Sequence, residues 1–193
     1  MALLLRGARL GHQSLWVDEV FSWRSARIGA AFTRHDLLEN IHGPLYGVLL
    51  HAWGAIAGDG ELALRLPSAL FGAALVPALA WVARQWLGRD TVVPAAWLAA
   101  GSPFLLWYSQ EARNYALLML CATLASGAML SLREKSSWRG LAGYAAASVA
   151  GVLSNFSFVL LAPIHAAWWL GARGERGKRL AVHFPNNLWW RQC

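Results

Sequence analysis

The sequence predicts an all-α, polytopic transmembrane helical bundle with interfacial, juxtamembrane helices in its first external loop. Composition is the first reason: 57% of the 193 residues are hydrophobic and 14% are charged, outside the balance of ordinary soluble domains. Charge placement is the second. Residues 66–83, 91–110 and 114–132 hold no Asp, Glu, Lys or Arg, whereas a soluble helix solvates one face with charge along its length. The third is the twelve tryptophans, many of which fall near the ends of apolar runs, as in membrane-boundary belts.

Residues 1–61 read as the end of a helix followed by an external loop. The run Ala2-Leu3-Leu4-Leu5 before Arg6 and Arg9 is too short for a signal peptide or a span and resembles a last helical turn whose start is missing. At 14–24, Leu15, Trp16, Val20, Phe21 and Trp23 recur at near-helical spacing, with Asp18, Glu19, Ser22 and Arg24 on another face, the pattern of a helix lying in the interface plane. Residues 44–57 are apolar but rise only about 21 Å against a hydrocarbon core of about 30 Å, so they form a second interfacial helix. Pro44 suits its first turn, where a missing N–H costs nothing.

Residues 62–172 read as a bundle of about five spans: 62–87 with Pro77 near its middle, 92–107, 115–132, 140–153 and 156–171, with Ser154-Asn155 as a break. A mid-helix proline is tolerated where neighbours re-satisfy the freed carbonyl. The Gly, Ala and Ser of the fourth span suit helix–helix packing rather than lipid. Residues 173–193 form a basic cytoplasmic tail of atypical pattern, and both ends read as those of a fragment.

Basic residues set the orientation. The links after the first, third and fifth spans carry Arg84, Arg89, Arg133, Lys135, Arg139, Arg173, Arg176, Lys178 and Arg179; the other side carries Arg24, Arg27, Arg34, Arg65 and Arg113 with most of the acids. The richer set belongs in the cytoplasm. Trp81, Trp86, Trp138, Trp168 and Trp169 then fall near the cytoplasmic boundary, and Trp16, Trp23, Trp53 and Trp107 near the external one. This topology returns Glu111 and Arg113 to the face that carries Asp18 and Glu19. The net charge of +7 therefore reports topology; no zinc-ligand spacing, P-loop or basic-aromatic groove points to nucleic acid. Cys121 and Cys193 indicate no disulfide framework.

Four motifs occur in order: Ser-Leu-Trp-Val-Asp-Glu at 14–19, His-Gly-Pro-Leu-Tyr at 42–46, Leu-Arg-Leu-Pro-Ser-Ala-Leu-Phe-Gly at 64–72 and Trp-Tyr-Ser-Gln-Glu-Ala-Arg-Asn-Tyr-Ala at 107–116. Together they resemble the N-terminal part of the C-type membrane glycosyltransferases, in particular the bacterial branch related to protein O-mannosyltransferases and the lipid A aminoarabinose transferase. The resemblance covers roughly residues 10–172. It implies a hexosyl- or pentosyltransferase of the bacterial inner membrane, its site facing the periplasm. The donor would be a polyprenyl-phosphate-linked sugar and the acceptor a glycolipid, polysaccharide or protein.

Under that resemblance Asp18 is the base for the acceptor proton, and Glu19 orients a cation or the acceptor. His42 and Arg113 are the groups available to the anionic phosphate, with Glu111 and Tyr115 beside them. A divalent metal at Asp18 and Glu111 remains an option of the family chemistry. The glycine at 43, where relatives often carry proline, is expected to loosen the turn. Arg65 reads as an interfacial anchor or a helix-start pairing, His51 and His165 as packing residues, and Asn155 as a cap. Two competing functions are a lipid-linked-substrate transporter or flippase subunit and a catalytically incomplete membrane fragment. The charge-free spans argue against the transporter, whose pathway would need ionisable groups at mid-depth.

Overall fold

Proline and side-chain donors shape this bundle as much as apolar runs do. A computed structural model describes residues 1–8, 10–28, 42–134 and 136–174. The loop stretch 29–41 with Arg34, the residues Arg9 and Lys135, and the tail from 175 onward with Arg176, Lys178 and Arg179 lie outside the described residues.

The described residues are helical, with α1 (Ala2–Gly7), α2 (Val17–Ile28) and α3 (Leu45–Ala57) preceding the long α4 (Glu61–Leu87). A 3-10 turn (Arg89–Thr91) leads into α5 (Val92–Gly101) and α6 (Pro103–Ser109), and α7 (Tyr115–Glu134) and α8 (Trp138–Ser154) follow. A second 3-10 turn (Phe156–Leu160) precedes α9 (Leu161–Gly174). Among the described residues the only β-type pairing is an isolated bridge between His42 and Asn155. The expected all-α class holds.

Two helices are long and apolar enough to cross a membrane, Glu61–Leu87 and Tyr115–Arg133. The run expected as one span at 92–107 is instead two helices bent by 58°, and as a pair it makes a third candidate. The cause is local. Ser102 is extended and its side chain caps Leu105 N–H, while Pro103 opens α6 without an N–H. The carbonyl of Ala99, which a residue at 103 would ordinarily satisfy, accepts instead from Arg6 Nη2 at 3.2 Å. Pro67 in α4 frees the Ala63 carbonyl in the same way, and there the Trp53 indole N–H donates at 2.9 Å. Both orphaned acceptors are thus met by side chains of other helices.

The α4–α7 and α7–α8 pairs form the most extensive helix contacts. The core between them holds Leu50, Leu64, Ala112, Leu117, Cys121, Ala125 and Ala147. α7 presents small residues to α4, so the Trp81 ring lies against Gly127. At the Ser154-Asn155 break Asn155 is extended, its Oδ1 capping Ser157 N–H. Gly151 leaves the room that the Phe158 ring occupies. The last helix starts at Leu161 rather than near 156, because the 3-10 turn intervenes.

α2 buries Glu19 and Ser22 while Val17, Val20 and Phe21 are exposed, with Arg24 and Arg27 also at the surface. A soluble helix would do the reverse; this is the arrangement of a helix that presents its apolar face to lipid.

Arg6 is fully buried, donating to Ser109 Oγ at 3.2 Å as well as to the α5 break. Gly72 makes the space: a Cβ there would overlap Ser109 and press on Arg6 Nε. Gly72→Ala is expected to destabilise the chain by about 1–3 kcal/mol through overpacking, read as a lowered unfolding temperature in detergent.

Candidate active site at the start of the long helices

The starts of α2, α4 and α7 meet at one end of the bundle, and the charged groups of the first loop are gathered there. Glu19 is 1% exposed, and both its oxygens are engaged by Arg65 of α4: Nε donates to Oε1 at 2.8 Å and Nη2 to Oε2 at 2.6 Å. The same Oε1 accepts Ala112 N–H at 2.8 Å. Burial by itself would raise the Glu19 carboxyl, but Arg65 and the Ala112 and Trp16 amides outweigh it and hold it below the usual carboxylate range. Arg65 completes its fork with the carbonyls of Leu10 (2.6 Å), Gln13 (2.8 Å) and Ser14 (3.2 Å). All five of its N–H donors are occupied. Arg65, read from sequence as an interfacial anchor or a helix-start pairing, is the latter: it is the strut on which the first loop is folded, and the cation held by Glu19 is this one.

Asp18, the preceding residue, stays 43% exposed at its side chain. Arg113 reaches it from the α6–α7 link: Nη1 donates to the Asp18 carbonyl at 3.0 Å and Nη2 stands 4.0 Å from Oδ2. The Arg113 Nη2 also lies 2.9 Å from His42 Nε2, and its guanidinium faces the Tyr115 ring at 5.7 Å. Its buried Nε–H has no hydrogen-bond partner among the described residues. The Tyr115 ring in turn meets His42 edge-on at 6.3 Å and Tyr108 at 5.0 Å.

His42 is held at the break after α8. Gly43 N–H donates to Ser154 O at 3.1 Å, and the amides of Asn114 and Asn155 each lie 3.3 Å from His42 Nδ1. Gly43 does not loosen this turn as expected. A Cβ there would strike the Leu153 carbonyl, so glycine is what lets the His42 segment dock on the end of α8. The Oδ1 of Asn155 accepts Ser157 N–H, which fixes its amide with Nδ2 towards His42. Both ring nitrogens of His42 therefore face donors, and a neutral imidazole can accept at only one. The tautomer thus decides whether His42 accepts from Arg113 or from the two asparagine amides.

Glu111 is 8% exposed in the same link. Burial raises its carboxyl above the usual range, the Trp107 side chain and Arg113 oppose this, and the Glu19 and Asp18 carboxylates add to it. It lines a cavity of about 320 Å³ with Trp16, Trp107, Gln13 and the Glu19–Arg65 pair. Among the described residues no three His, Cys, Asp or Glu side chains gather into a metal-ligating group, and Glu19 is already committed to Arg65. A divalent ion on Asp18 and Glu111 would have to complete its shell from water and donor phosphate, as magnesium-type ions do.

The structure thus brings Asp18, Glu19, His42, Glu111, Arg113 and Tyr115 to one end of the bundle. Residues 107–116 belong with the first loop, as the topology argument expected. A sequence profile of the dolichyl-phosphate-mannose-protein mannosyltransferase family matches residues 41–185, three quarters of the chain. The chain belongs to this family. It is an integral membrane glycosyltransferase of the C-type, and His42, Arg65, Glu111, Arg113 and Tyr115 lie inside the matched mannosyltransferase segment, which begins after Asp18 and Glu19. Those two are tied to that segment by the Arg65 and Arg113 contacts. No curated protein and no solved structure matches the chain.

Sequence reasoning missed Asn114, and it read Arg65 as an interfacial anchor or a helix-start pairing and Asn155 as a cap, without their partners at this site. Arg65 and Asn114 sat inside quoted motifs, but nothing in their spacing shows a partner 40 or 46 residues away. His165, read as packing, does pack: it is buried between Ser126 Oγ (3.2 Å) and Tyr144 OH (3.1 Å).

Proposed function

We propose that this mannosyltransferase-family chain moves a hexose from a polyprenyl-phosphate carrier to a hydroxyl acceptor at the external face of a bacterial inner membrane. Asp18 takes the acceptor proton, the acceptor oxygen bonds to the sugar's anomeric carbon, and the bond from that carbon to the phosphate oxygen breaks. The electron pair leaves with the phosphate, which Arg113 and His42 receive. Glu19 positions Asp18 through Arg65; Tyr115 holds the Arg113 guanidinium by its ring face, and Glu111 lines the approach.

The observation that carries this reading is the His42–Arg113 contact. Arg113 Nη2 and His42 Nε2 lie 2.9 Å apart, and the buried Arg113 Nε–H has no partner among the described residues. A phosphate oxygen can accept from the Arg113 guanidinium and from an Nε2–H of His42 at once, giving two hydrogen bonds to the leaving anion. The excess of basic residues on the opposite links supports the external placement. Trp86, Trp168 and Arg133, expected at the cytoplasmic boundary, also meet: the two rings lie 5.3 Å apart and the Arg133 guanidinium 5.8 Å from Trp168.

Transfer of radiolabelled mannose from polyprenyl phosphate in membranes tests the proposal. The parent chain is expected to label an acceptor, and Arg113→Lys, which loses the fork but keeps the charge, to raise the donor KM about tenfold to a hundredfold. An unchanged donor KM in Arg113→Lys would remove the phosphate from this place.

A further inference from the structure

The cavity beside Glu111 shares no lining residue with the His42–Arg113 pair, and its chemistry is different. We infer that it is a subsite for a neutral sugar ring, an assignment that rests on the transferase reading and deepens it. The cation at its floor is closed to ligands: Arg65 donates twice to Glu19 and once each to the carbonyls of Leu10, Gln13 and Ser14, and a guanidinium has five N–H groups. With Glu19 and Glu111 also in the wall, the cavity repels a phosphate rather than binding one.

Trp16 and Trp107 supply the apolar surface, at 49% and 66% exposure, and Gln13 and Glu111 supply polar groups. A pyranose has the matching character, with C–H faces for indole rings and hydroxyls for carboxyl and amide. A prenyl tail would satisfy the indoles but leave Glu111 desolvated with the Trp107 side chain as its one hydrogen-bond partner among the cavity's lining residues, which is costly. The volume of about 320 Å³ lies at the small end of ligand pockets, roughly 300–1,000 Å³, as a single ring would need.

The test is saturation-transfer NMR with methyl α-mannopyranoside on the chain reconstituted in lipid nanodiscs. Trp16→Ala and Trp107→Ala are each expected to weaken sugar binding about fivefold to tenfold, and the Phe replacements to retain it, because a stacking face is what is lost. Unchanged binding in both folded Ala variants overturns the assignment, as does Trp-dependent capture of a Ser/Thr peptide with no capture of the sugar. Where an Ala variant does not fold, selective irradiation of indole protons in the parent reads the same contact; no transfer to the sugar C–H protons is then the overturning result.

Labelled polyprenyl-phosphate mannose distinguishes the two sources of such a ring. A methyl mannoside that becomes labelled occupies the acceptor position; one that competes with donor turnover occupies the place of the donor's own sugar. Either supports the subsite. Sugar binding that persists in Asp18→Asn separates this assignment from the catalytic reading, so one can fail while the other stands.

Discussion

Asp18→Asn is expected to lower transfer by about two to four orders of magnitude, the usual cost of removing a positioned general base, with little change in stability. Among the described residues its half-exposed carboxylate makes only the 4.0 Å approach to Arg113 Nη2, while the firmer contact, Arg113 Nη1 to the Asp18 carbonyl, survives the change. The loss should therefore fall on kcat, with the donor KM and the unfolding temperature near parental values. Transfer from polyprenyl-phosphate mannose, paired with a thermal melt in detergent, makes the distinction. Parental activity in Asp18→Asn would exclude Asp18 as the base and move the search to Glu111.

Arg65→Leu should do the opposite, harming the fold before the chemistry. It strands the buried Glu19 carboxylate and leaves three loop carbonyls without their donor. Breaking one side of a buried pair typically costs about 3–5 kcal/mol. Arg65→Leu with Glu19→Leu should recover part of that loss, since no buried charge then remains.

The pH profile gives a second reading. In the parent, the Glu19 pKa lies below its unfolded value, so its contribution is full above the ordinary carboxylate pKa and fades as pH falls through that value towards the folded one. In Arg65→Leu the same carboxyl is buried without a cation, its pKa should rise, and the variant should be least destabilised in acid. Unfolding temperatures of the two proteins should therefore converge as pH is lowered. Parallel curves would show that the Glu19–Arg65 pair is not what holds the loop.

The bundle was legible where the chain advertises periodicity. The first long helix was expected over 62–87 and runs Glu61–Leu87, and the helix expected over 115–132 runs Tyr115–Glu134. The return of Glu111 and Arg113 to Asp18 was legible too, because it follows from counting spans. The bend at Ser102 was not. Pro103 near the end of an apolar run fits a continuous helix as well as a broken one, and what favours the break is a donor on Arg6, 93 residues from the carbonyl it satisfies.

The roles of Glu19 and Gly43 were hidden for the same reason. Reading Glu19 as a residue that orients a cation or the acceptor names neither, until Arg65 is seen on both its oxygens. A glycine after His42 looks like slack until the Leu153 carbonyl is seen against it. Pairings across tens of residues leave no trace in local pattern.

The Arg65 fork also dictates an order of assembly. The groups it ties down precede it by 46 to 55 residues, so on a growing chain the segment from Leu10 to Glu19 cannot make its Arg65 contacts until α4 has been made. Its carbonyls find their donor only when residue 65 arrives at the same membrane surface. A chain interrupted before that point would carry Asp18 and Glu19 in sequence but no formed loop around them. Misplacing the single helix α4 across the bilayer would undo the site without altering any of its other residues.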